Sequence, residues 1–349
     1  MRTWSSHNGK FSVKARFMER DGERVRLVRE DGQNISVVTD SLSEEDRLYL
    51  STVDVEAFGN TVFLRDGGFS WKVNKEVKGQ TQDLAEAIQN AIGEGDREVH
   101  LLVGGKLSRT IRLKGGIKLH GHGNTFERSH DSTGFHREGS GGIGIYHLNL
   151  TGGTGWGFHL SRTSDIVFGN VRITGGGIGI RVESHPSRPW EERRWVRNLS
   201  VKDCFFEGCG SHGIETYGVE NIQMDGITAR NCRDCGVLVN KGRNVTIGTV
   251  TAHRCCFGGG YAGLRFANNC RDITVESLVA TECGRGFFTV SNCENIVVER
   301  VAIRDCSSHA ILLQHSRKVG INGGDYNGRA LNHYTSGDCW IKATTVKDE

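Results

Sequence analysis

Proline is almost missing from this chain: there are 2 in 349 residues, against 48 glycines. That balance fits backbone with many tight turns rather than disorder. No apolar run reaches the roughly 18 residues that a membrane-spanning helix needs, which excludes a span of that kind. A dominant charge is missing too. Lys and Arg total 44 against 41 Asp and Glu, a formal net charge of +3, too weak a field to imply a nucleic-acid partner. Helical periodicity is scarce, and one short stretch holds the clear case.

What is present is a repeat. Asn198, Asn221, Asn244, Asp272 and Asn295 each open a similar segment, at steps of 23, 23, 28 and 23 residues. Eleven residues after each stands a cysteine: Cys209, Cys232, Cys255, Cys283 and Cys306. Each unit carries short alternating Val and Ile runs broken by Gly, Asn and charged pairs, which are strand signals. Nothing between them is long enough, or periodic at 3.6, to be a crossover helix. Helix-free strands at this period predict a right-handed parallel β-helix, an all-β solenoid with one coil per repeat. Gly142 and Asp165 extend the register upstream, and residues 319–326 read as a last, degraded coil.

One coil cannot bury its own apolar face, so the ends need covering. Residues 83–92 form the amphipathic helix, with Leu84, Ala87, Ile88, Ala91 and Ile92 on one face, and read as an N-terminal cap. Residues 99–103 and 110–119 follow as strands. The order helix, strand, Gly-rich turn, strand and His-Gly-His-Gly resembles the entry segment of the pectate-lyase-like β-helix superfamily, over about residues 80–345. The resemblance implies the fold and a polysaccharide theme. It transfers no catalytic residue, because the adjacent Asp pair and Arg-Ile-Lys motif of the related polygalacturonases are absent.

Residues 1–55 read differently. Arg2-Thr3-Trp4 leads into Gly9-Lys10-Phe11; turns follow at Asp21-Gly22 and Asp31-Gly32, and Leu42-Ser43-Glu44-Glu45-Asp46 opens a helix. This is similar to the small SH3-like homology domain of Sla-type endocytic adaptors, and implies an SH3-like barrel that docks to a protein or peptide ligand. Residues 56–80 form a linker or an extra hairpin, and 81–349 the β-helix.

Eleven cysteines admit three readings: buried thiols, disulfides between coils, or metal ligands. Ladder spacing favours small apolar residues stacked on the inner wall. Compartment stays open: cytoplasmic if Met1 is the native start, extracytoplasmic if a leader was trimmed. His120 and His122 share a strand face, with His130 and His136 beyond, but no carboxylate has an evident place beside them; no metal or other cofactor is expected.

Outward slots between the apolar residues can be read coil by coil. One runs His159, Arg181, Glu215; the next runs Ser161, Glu183, Tyr217. Beside them lies an insertion, residues 184–195, holding both prolines, His185, Trp190 and Trp195. Glu183 and Glu215 sit one coil apart and two residues out of register, which puts their stems roughly 7–8 Å apart. Inverting glycoside hydrolysis wants about 6.5–9.5 Å between carboxyls. The expectation is a polysaccharide-binding or polysaccharide-processing protein, in its enzymatic form a glycoside hydrolase rather than a calcium-dependent lyase. Glu183 is then the acid with a raised pKa, Glu215 the base held ionised by Arg181, and His185 a neighbour. His159, Tyr217, Trp190 and Trp195 offer substrate-binding surfaces. The competing expectations are an Arg181–Glu215 surface ion pair and a structural or adhesive solenoid docked through its N-terminal domain.

Overall fold

The computed structural model describes residues 2–21, 23–129, 131–185, 195–256, 260–333 and 338–346. At the N-terminus, β1 (Arg2–Ser5), β2 (Ser12–Asp21), β3 (Arg24–Arg29) and β4 (Asn34–Val38) form an antiparallel sheet in sequence order. Trp4, Ala15, Val25, Leu27, Leu42 and Leu50 make a core of their own beneath it. Helix α1 (Glu44–Ala57) starts at Ser43, whose hydroxyl accepts from the Asp46 amide at 3.2 Å, with acidic residues in the first turn.

Between this unit and the coils, β5 (Thr61–Arg65), β6 (Gly68–Val73) and β7 (Glu76–Thr81) run as an antiparallel meander. β5 also pairs in parallel with the strand Glu98–Leu101, so the meander joins the edge of the solenoid's first coil. Helix α2 (Leu84–Ile92) is capped by Asp83, which accepts from the Ala85 amide, and ends at Gly93 with φ 53°. Its buried Leu84, Ala87, Ile88, Ala91 and Ile92 enter the same core as Leu101 and Leu107.

From there the chain winds as a right-handed all-β solenoid of about ten turns. Every coil pairs in parallel with the next, so Phe135, Phe158, Ile180, Ile214 and Val237 fall in one column and Leu264, Phe287 and Ile311 continue it. All eight side chains are buried. The glycine before seven of these eight residues (Ala310 precedes Ile311) has a steric cause: a Cβ at Gly179 would sit 2.5 Å from the Gly213 carbonyl oxygen of the next coil.

Two sequence expectations need correction. Residues 110–119 are two short strands, Ile111–Arg112 and Ile117–His120, because Gly116 turns the chain at φ 70°. The solenoid also continues past residue 326, through strands Ala330–His333, Trp340–Ile341 and Thr344–Thr345. The ladder asparagines bond coil to coil on the exposed surface, Asn221 to Asn198 at 3.1 Å and Asn244 to Asn221 at 3.2 Å.

All eleven cysteines are free thiols, nine buried and two, Cys306 and Cys339, half-buried. Cys209, Cys232, Cys255 and Cys283 belong to the inner core, where each thiol packs as a small apolar group.

Candidate functional site

The strands Phe158–Ser161, Ile180–Glu183 and the start of Ile214–Asp225 stack in register and set the site. His159 pairs with Arg181, Arg181 with Glu215, and Glu183 with Tyr217. Alternation along each strand turns these residues away from the core. They are nevertheless covered: Glu183 is 3% exposed and Glu215 8%.

Arg181 sits between the two carboxylates. Its Nε and Nη2 donate to one Glu183 oxygen at 3.0 and 2.7 Å, and its Nη1 pairs with Glu215. The other Glu183 oxygen meets His159 Nε2 at 2.8 Å, and Glu215 accepts from Asn240 Nδ2 at 3.3 Å. The Arg181–Glu215 pair is therefore buried, not a surface ion pair.

Burial pushes the Glu183 carboxyl up, but the His159 hydrogen bond and the Arg181 charge outweigh it, and the group lies below the usual carboxylate range. This overturns the expectation of a raised pKa there. Arg181 is held further into its charged form: burial opposes the charge, and Glu215 and Glu183 more than compensate.

Several residues of the cluster lay outside the slots read from the sequence. Trp156 stands edge-on to His159, ring centroids 4.4 Å apart, and its ring lies 6.0 Å from the Arg181 guanidinium carbon. His212 is buried and accepts from the Cys235 amide at 3.0 Å. Both occupy the position two residues before the column residue, so extending the outward slots one step earlier finds them. His136 adds a second imidazole 5.1 Å from His159.

The insertion divides. His185 lies two residues after Glu183 and is half-buried, whereas Trp190 lies outside the described residues. Trp195 is buried under the Arg243 guanidinium, 4.5 Å from its ring centroid. Arg243 lies within the strand Val237–His253 in register with Glu220, so Trp195 serves that contact rather than the Glu183 cluster.

His120 and His122 form a separate group at the first coils. His100 Nδ1 and His122 Nε2 are 2.9 Å apart, and His120 Nε2 reaches Glu98 at 2.7 Å. Among the described residues no group of three or more His, Cys, Asp or Glu side chains has the arrangement to hold a metal ion.

The repeat geometry agrees with a known sequence profile: that of the right handed beta helix region matches residues 110–249 and 156–344. This chain belongs to that β-helix family. A second profile, SLA1 homology domain 1, matches residues 1–57. No curated protein sequence matches the chain. Among solved structures, this β-helix protein is similar to the catalytic unit of a thermostable GH87 alpha-1,3-glucanase from Streptomyces thermodiastaticus strain HF3-3. Identity there is 12% and the TM-score 0.47, over 76% of this chain and 66% of the glucanase unit. It is also similar to PfbA, a surface adhesin of Streptococcus pneumoniae, at 11% identity and a TM-score of 0.41, over 75% of this chain and 88% of the adhesin.

Proposed function

We propose that the chain is a polysaccharide-binding or polysaccharide-processing β-helix protein, and that the glycan lies along the outward face of the coils near residues 156–217. The observation carrying this reading is the buried His159–Glu183–Arg181–Glu215 chain beside the Trp156 ring. Removing charges from water is costly, and a solenoid wall has no structural need of an outward ion cluster, so a ligand role accounts for it. Trp156 and Tyr217 supply ring faces for sugar rings, and Glu215 and Asn240 supply polar contacts.

The processing form of this reading changes one role. Glu183, ionised and accepting three hydrogen bonds, is a poor proton donor. It instead orients His159, which gives its Nε2 proton to that contact and keeps Nδ1 as an acceptor. His159 then handles the proton, with Glu215 as the second carboxylate.

The second reading is a structural or adhesive solenoid docked to a protein partner. It is favoured by the N-terminal profile match and by the way the cluster's charges already satisfy one another. Under either reading we assign residues 1–55 to an SH3-like docking barrel, 56–80 to a connecting segment and 81–349 to the β-helix, with α2 closing its N-terminal end.

The test is a glycan panel read for binding and turnover, with the full chain beside Glu215→Gln and His159→Gln variants. Glu215→Gln is expected to weaken glycan binding about tenfold, the worth of a charge-assisted hydrogen bond. His159→Gln is expected to abolish turnover while retaining binding. Absence of binding to every glycan by a folded protein would end the polysaccharide reading and leave the docked solenoid.

A further inference from the structure

Further along the same face the character of the wall changes. Register places Arg265 three coils after Arg181, about 14 Å along the solenoid. One coil later Phe288 pairs with Arg265, and Arg285 pairs with His309. The Arg265 guanidinium carbon lies 4.7 Å from the Tyr261 ring centroid and 5.0 Å from that of Phe288. Arg285 approaches the same Phe288 ring to 4.7 Å. Two cations therefore share one aromatic side chain that is itself 4% exposed.

Among the described residues neither cation has a counter-charge. Arg329 stands on the next coil, its carbonyl accepting from the Ala310 amide beside His309 at 2.8 Å. Among the described residues Arg265, Arg285 and Arg329 make no ion pair, whereas other arginines of the coils, such as Arg254, Arg300, Arg304 and Arg317, each hold a carboxylate. On the neighbouring coils, Glu215 is paired with Arg181 and Asp234 accepts from the Ser211 hydroxyl at 2.8 Å. Arg285 leaves both Nε and Nη1 buried without a hydrogen-bond partner, Arg265 leaves Nε, and His309 leaves Nε2. Elsewhere among the described residues no arginine leaves more than Nε in that state. Burial pulls the Arg285 pKa down, and the Arg265 charge adds to the pull against a partial offset from Cys256.

Buried guanidinium N–H groups without acceptors are costly, and two like charges on one ring add repulsion. Water can supply acceptors but leaves the charge. A planar or tetrahedral oxyanion supplies both, because a guanidinium fork matches carboxylate and sulfate oxygens in pairs.

We propose that Arg265, Arg285, Arg329 and His309 form an anion subsite taking a carboxylate or sulfate group of a glycan laid along the coils. Tyr261 links it to the cluster described above, its ring standing edge-on to His212 at 5.2 Å. The glycan part of this inference rests on the proposed function; the anion part rests on the unpaired arginines alone. It adds a substrate class: the polysaccharide is acidic, and it extends from residue 156 toward the coils around residue 309.

Calorimetry on the full chain with a neutral glucan, polygalacturonate and dextran sulfate tests it, beside Arg285→Gln, Arg329→Gln and the control Arg300→Gln. Arg329 is exposed, so its variant should fold even if Arg285→Gln does not. At least one acidic glycan is expected to bind about tenfold tighter than the neutral one, and both test variants to lose most of that margin while the control keeps it. Which acidic glycan binds decides between carboxylate and sulfate. Equal binding of neutral and acidic glycans, or a margin kept by both test variants, overturns the subsite. A further arm measures thermal midpoints in inorganic sulfate against chloride at equal ionic strength. If no glycan binds, a sulfate-specific rise in the wild type that Arg329→Gln lacks upholds the anion site and rejects the polysaccharide reading. No such rise then rejects both.

Discussion

Glu183 and His100 show opposite outcomes of burying an ionisable group. Glu183 is buried beside the Arg181 guanidinium and the His159 imidazole and stays charged; His100 is buried against aromatic rings and stays neutral. The Phe58 ring stacks on His100 at 3.5 Å, His120 stacks at 4.9 Å on another side, and Glu98 stands 3.7 Å from its Nε2. Burial, and then the charge of His120, lowers the His100 pKa to about 4 from its ordinary 6.5. Between those two values the unfolded chain binds the proton that the folded chain refuses. Stability from this residue is therefore full above pH 6.5 and falls as pH drops toward 4. His120, also lowered by burial, adds in the same direction. Urea unfolding at neutral pH and near the lower end of that window is expected to show a loss that His100→Gln reduces by about 2 kcal/mol, after allowance for solvent screening. Identical pH slopes in the two proteins would show that His100 does not carry the effect.

At the scale of the element, the ladder asparagines do two jobs. Each takes a left-handed backbone, φ 64° at Asn198, 60° at Asn221 and 53° at Asn244, and each side-chain amide bonds to a neighbouring coil. Asparagine is suited to both, since its short amide tolerates that backbone region and bonds locally. The left-handed turn matters more, because the amides are exposed and compete with water. Asn221→Ala is expected to cost about 2 kcal/mol and Asn221→Gly about 0.5 kcal/mol, since glycine restores the backbone freedom but not the amide. Denaturant midpoints for the two variants check this, and equal costs would transfer the role to the amide.

For the whole molecule, the sulfur ladder makes a testable claim about access. Nine thiols are sealed in the core, and ionisation is suppressed at seven of them, Cys204, Cys232, Cys235, Cys255, Cys256, Cys283 and Cys293. Burial pushes Cys204 up to about 12, and the hydrogen bond with Cys209 leads the causes that raise Cys232. The thiolate is the reactive form, so native protein is expected to react slowly, at half-buried Cys339 first, because burial also pushes Cys306 up to about 12. All eleven should react after unfolding, and reductant should leave the thermal midpoint unchanged. Rapid native labelling of Cys232 or Cys255 would mean that the coils open locally.

The period of the repeat, the apolar alternation and the ladder residues determined the solenoid, because stacking identical units leaves one way to bury each face. The same periodicity brought Arg181 and Glu215, and Glu183 and Tyr217, into register. It could not determine ionisation. Glu183 was read as an acid from its neighbour in register, but its charge is set by His159 from one coil and Arg181 from its own strand, against a burial that no local pattern reports. Nor could it find the bare arginines. Arg265 and Arg285 resemble Arg300 and Arg317 as letters, and only the folded surface decides which of them meets a carboxylate. A regular coil fixes backbone positions from local sequence, whereas charge depends on every group that converges in space, and that convergence belongs to the tertiary structure.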